Sequence, residues 1–74
     1  MEPLFSADII VNGAYKLFNV FFHDEQYHFE PEDGSGPAFH VKREDDTWKA
    51  GGSLAPIAQE QAISALEHYL LSQH

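Results

Sequence analysis

Cysteine is absent from the chain, and bases are scarce: four Lys and Arg stand against twelve Asp and Glu. Without cysteine no disulfide can staple the fold, so burial of side chains has to hold it together. A cysteine-free chain fits a reducing compartment, and a cytoplasmic location is expected. Binding to nucleic acid or anionic membrane rests on neutralising phosphates. Lys16, Lys42, Arg43 and Lys49, diluted to a formal charge of −8, are too few for either partner. No run approaches the roughly 18 apolar residues of a membrane span. The opening MEPLFSADIIVNG carries an acid at Glu2 and breaks at Asn12-Gly13, so no secretory leader is expected.

What the chain does have is aromatic side chains: six Phe, three Tyr and one Trp in 74 residues. That length makes one domain, which buries only about 60% of its unfolded surface, so large rings carry the core. Alternation supplies the architecture. In FSADIIV, Phe5, Ala7, Ile9 and Val11 share one side. Asn12-Gly13 suits a two-residue type I′ turn, because both central residues need positive φ. That turn sets Val11 opposite Ala14, Ile9 opposite Lys16, Ala7 opposite Phe18 and Phe5 opposite Val20.

The stretch FNVFFHDEQYHFE, residues 18 to 30, holds five aromatic rings, two histidines and three carboxylates. A turn at HDEQ pairs Phe22 with Tyr27 and Val20 with Phe29 on the core face. Asn19, Phe21, His28 and Glu30 then fall on the reverse face, with His23 in the turn. Asp24-Glu25 lacks glycine, so a four-residue loop competes with a two-residue one. PEDGSGP, 31 to 37, reads as loop. AFHVKR puts Phe39 and Val41 inward and His40 and Lys42 outward. EDD turns the chain, and TWKA returns with Val41 expected opposite Trp48.

GGSLAP breaks the sheet. Pro56 suits a first helical position, and Ala55 is favoured over Ser53 as the cap. Ala62, Ile63, Leu66, Tyr69 and Leu70 recur at helical spacing. Glu60 and the histidines 68 and 74 would suit the helix dipole. The expected fold is a single two-layer α+β domain spanning 1–74. A four- to five-stranded antiparallel meander (strands about 5–11, 14–22, 26–30, 38–43 and 47–50) carries one C-terminal helix, about 56–72, on one face.

Chemistry is harder to find. The carboxylates cluster in turns, no serine sits in a nucleophile elbow, and GSG is too short for a phosphate cradle. No catalytic residue and no cofactor are assigned, and an enzyme is not expected. Two features remain on the face away from the helix. Ile10, Tyr15, Leu17 and Phe21 form an apolar stripe where water is expected, which suggests a protein partner, foremost a second copy in a homodimer. The rival is cover by the MEPLF segment or by the 51–56 loop. Secondly, pairing Phe29 with Phe39 sets His28 opposite His40, a geometry that a divalent metal or small ligand could use. The functional expectation is a small acidic interaction or regulatory module; the alternative is a ligand- or metal-binding domain built on His28 and His40.

Overall fold

The computed structural model describes residues 2–34, 36, 38–51 and 56–73. Five strands follow one another, β1 (Phe5–Val11), β2 (Ala14–His23), β3 (Gln26–Pro31), β4 (Phe39–Glu44) and β5 (Thr47–Gly51). They form one antiparallel sheet in the order β1-β2-β3-β4-β5, curled into a half-barrel. Helix α1, Pro56–Ser72, follows and lies along β1. Strand ends differ from the sequence expectation by a residue at most, and the fifth strand is present. The choice between Ser53 and Ala55 as helix cap lies outside the described residues.

Turn chemistry sets the ladder. Asn12 and Gly13 have φ of 54° and 80°, as a type I′ turn requires, and Val11 pairs with Ala14. The β2–β3 connection is also a two-residue turn, with Asp24 and Glu25 at φ 53° and 62° and His23 opposite Gln26. A third turn at Asp45 and Asp46 (φ 51° and 65°) joins β4 to β5. Primed turns match the right-handed twist of the strands they join, which is why a non-glycine pair is drawn into the left-handed region. The third turn corrects one expected pairing. Glu44 faces Thr47, so Trp48 lies opposite Arg43, and Val41 lies opposite Ala50. The slip is two residues, and a slip of two keeps every side chain on its face. Trp48 therefore still packs against the core, with the Arg43 guanidinium 5.0 Å over its ring.

Ile9, Phe18, Val20, Phe29, Phe39 and Val41 from the sheet are buried against Ala58, Ala62 and Leu66 of the helix. The helix residues are four apart, and two are alanines, so the helix backbone can approach the sheet closely. Phe29 stacks on Phe39 at 4.7 Å, and Phe18 meets Phe39 edge-on at 5.5 Å. Tyr69 stacks on Phe5 with centroids 4.4 Å apart. Gln61 accepts a 2.8 Å hydrogen bond from the Ile10 N–H through Oε1. That N–H points off the open edge of β1, so the helix covers an edge that would otherwise invite another strand. With Gln61 near Ile10 and Tyr69 near Phe5, α1 runs antiparallel to β1.

Two expectations about this face need correction. Phe22 shares the core face but is 49% exposed, because β1 starts at Phe5, opposite Val20, and the helix axis follows β1 rather than the far end of β2. Its ring packs on Tyr27 at 4.9 Å. The helix also has no acid in its first turn and no base in its last, so Glu60 and His68 stand too far in to offset the dipole; residue 74 lies outside the described residues.

Candidate functional site

The helix-free face is built by strand parity alone. Side chains at 6, 8 and 10 of β1 share it with 15, 17, 19, 21 and 23 of β2, because the register pairs Ile10 with Tyr15 and Asp8 with Leu17. Further across the sheet it receives His28 and Glu30 opposite Phe21 and Asn19, then His40 opposite His28. Tyr15 is 75% exposed and Leu17 38% exposed, whereas Ile10 and Phe21 are half-buried by their neighbours. All four expected interface residues therefore lie on this face, and no described element crosses them. The N-terminal segment runs in the plane of the sheet, with Leu4 N–H donating to Val20 O at 2.7 Å. The other expected cover, the 51–56 loop, lies outside the described residues between 52 and 55.

Charge is also unevenly placed. The strand positions of this face carry the carboxylates Asp8, Glu30 and Glu44 and the lysines Lys42 and Lys49. Three against two leaves the face at −1, where the whole chain has −8. Half of the acid, six of twelve carboxylates, sits in turns, at Asp24-Glu25, Glu32-Asp33 and Asp45-Asp46. The polar contacts here are exposed and weak. Ser6 donates to Asn19 Oδ1 at 2.7 Å, and Lys42 lies 3.6 Å from Glu44.

The two expected histidines do meet, with ring centroids 6.2 Å apart. A third joins them. His23 ends β2 instead of entering the turn, and its ring lies 6.0 Å from that of His28. Treating the HDEQ segment as four loop residues hid it, since only a two-residue turn keeps His23 on the strand. His28 Nε2 donates to the His23 carbonyl at 3.1 Å, so in the neutral ring Nδ1 is the nitrogen left to accept. His40 lies over Gly51, where a Cβ would run into the imidazole. Phe21, His23, His28 and Glu30 enclose a shallow depression of about 360 Å³. Among the described residues, however, no group of three or more His, Asp or Glu side chains is arranged to hold a metal ion. Two imidazoles on one zinc have centroids about 5 Å apart, so these rings would have to swing inward.

Sequence reasoning missed a second hollow. β2 outruns β3, because Phe18 faces Pro31 and the chain then leaves the sheet. The space beside Ala14–Leu17 is an open hollow of about 590 Å³, bounded by Lys16 on one side and Glu32 and Asp33 on the other. No described helix is long and apolar enough to cross a membrane. No family model, no curated protein and no solved structure matches the chain.

Proposed function

We propose that the chain is a small acidic interaction module that pairs with a second copy of itself through the helix-free sheet face, and acts by binding, not by catalysis. The observation that supports this is the stripe of Ile10, Tyr15, Leu17 and Phe21, apolar and contiguous on a sheet face that no described element covers. A second copy is favoured over other occupants by charge. At −1, this is the face on which two strongly acidic chains repel each other least, and Lys42 and Lys49 at one end can meet Asp8 of the second copy at the other under a two-fold axis. Tyr15 has about three quarters of its surface left to bury, Leu17 about two fifths and Ile10 and Phe21 less, so the two copies together gain about 6–10 kcal/mol. Against an association cost of at least about 4 kcal/mol, the dimer is weak, with Kd on the order of 100 µM or weaker.

Sedimentation of the wild type beside a Phe21→Glu, Leu17→Lys double variant tests it. Both substitutions lie on the outer face, so circular dichroism should stay unchanged while the concentration-dependent rise in mass disappears. A wild type that remains monomeric across that concentration range defeats the proposal.

The row of His23, His28 and His40 favours one second reading, a divalent-metal or small-ligand site on the same face, with His28 and His40 as its core. Calorimetric titration with zinc or nickel distinguishes it. If a His28→Ala, His40→Ala variant binds metal as well as the wild type, this second reading falls.

A further inference from the structure

The hollow beside β2 combines an unfinished sheet edge with an acidic wall. Two-residue turns on both sides of β2 fix the parity of its backbone. Ala14, Lys16 and Phe18 direct their N–H and C=O toward β1, whereas Tyr15, Leu17 and Asn19 direct theirs toward β3. Asn19 has Glu30 opposite it. Leu17 O accepts from Glu32 N–H at 3.0 Å, the last bond before the chain departs. Beyond it, Tyr15 N–H and C=O point off the sheet with no described strand beside them, toward the hollow that Gly36 also lines.

Such a stretch is the recipient half of a strand-addition site, where main-chain hydrogen bonds give affinity and flanking side chains give preference. The flanks here are specific. Val11, Ala14 and Phe18 form an apolar floor, while Glu32 and Asp33 stand along the outer wall. Asp33 is 66% exposed and lies 3.8 Å from Lys16, and Glu32 takes part in no ion pair among the described residues. An apolar floor beneath carboxylates suits a peptide that alternates aliphatic and basic residues.

We propose that the edge of β2 at Tyr15–Leu17 accepts a short extended peptide carrying Lys or Arg, which continues the line of β3 past Pro31. The peptide's backbone pairs with Tyr15 N–H and C=O. Its aliphatic side chain rests on Val11, Ala14 and Phe18, and its cation faces Glu32 and Asp33. This uses the backbone edge of β2, not the outward side chains of the stripe, so a monomeric Phe21→Glu variant keeps the site.

The test is an amide-shift titration of Phe21→Glu protein by NMR. The probes are acetyl-Val-Lys-Val-Lys-Val-amide, its Glu-for-Lys counterpart, and a lysine peptide N-methylated along one edge. The expected result is a set of shifts centred on Tyr15, Leu17 and Glu32 with the lysine peptide, lost on N-methylation and absent with the glutamate peptide. A Glu32→Lys variant should bind about fivefold more weakly, the scale of one exposed charge pair. Three results overturn the proposal: no shifts, shifts spread equally over the Asp24-Glu25 and Asp45-Asp46 turns, or binding that survives N-methylation. The spread pattern would mean attraction to acidic surface only.

Discussion

Glycine placed at the second position of the glycine-free turns should make the protein more stable, and the size of the gain follows from backbone geometry. Glu25 sits at φ 62° and Asp46 at φ 65°, in the left-handed region. For a residue with a Cβ this region costs about 1–2 kcal/mol. Glycine removes that strain but loses about 0.5–1 kcal/mol more backbone entropy on folding. Glu25→Gly should therefore gain about 0.5–1 kcal/mol. Asp46→Gly should gain less, about 0.5 kcal/mol, because a short polar side chain tolerates the left-handed region better. The first turn supplies the mirror experiment. Gly13 has φ +80°, and a Cβ added there meets nothing within 4 Å. Gly13→Ala should thus lose about 0.5–1 kcal/mol, left-handed strain less the entropy that the alanine saves. A domain of this size has a total stability of only about 4–11 kcal/mol, and urea slopes near 1 kcal/mol per molar turn such changes into midpoint shifts of roughly 0.5–1 M. Urea unfolding followed by Trp48 fluorescence reads them. If Glu25→Gly lowers the midpoint, or Gly13→Ala leaves it unmoved, the type I′ geometry that sets the sheet register is wrong.

Two further outcomes test the packing around the sheet edges. Gln61→Ala removes the acceptor for the Ile10 N–H, so that amide should exchange with deuterium faster and stability should fall by about 1–2 kcal/mol. Unchanged exchange at Ile10 would mean the helix does not cap the β1 edge. Among the described residues the buried Trp48 Nε1 has no hydrogen-bond partner, so Trp48→Phe discards that donor while keeping a ring beside Tyr27. Its thermal midpoint should move by no more than the equivalent of about 1 kcal/mol, whereas a loss above about 3 kcal/mol would point to an acceptor at the indole.

Much of this architecture was legible because two local signals agree. Asn12-Gly13 specifies a two-residue turn, and alternation from Phe5 to Val11 specifies a face; together they leave one register for β1 and β2. The pairing of Val20 with Phe29 then follows from parity, and that of His28 with His40 from setting Phe29 opposite Phe39. Legibility failed where turn chemistry was ambiguous. Glu44, Asp45 and Asp46 offer several two-residue turns, and only tertiary packing selects the one that sets Trp48 opposite Arg43. Asp24-Glu25 hid a two-residue turn for the same reason, and with it the place of His23. Phe22 illustrates a different limit. Parity assigns a side chain to a face, but whether the face is covered at that point depends on where the helix runs. The hollow at Tyr15–Leu17 was invisible because it arises from unequal strand lengths, with ten residues in β2 against six in β3.

The most direct measurement of the central claim is a dilution series of amide spectra on the wild-type protein, from about 1 mM to about 10 µM, a range that spans the expected Kd. Shifts that change with concentration and cluster at Ile10, Tyr15, Leu17 and Phe21 are the expected result. Spectra that superimpose throughout, or concentration-dependent shifts confined to α1 and β5, would contradict pairing through the helix-free face.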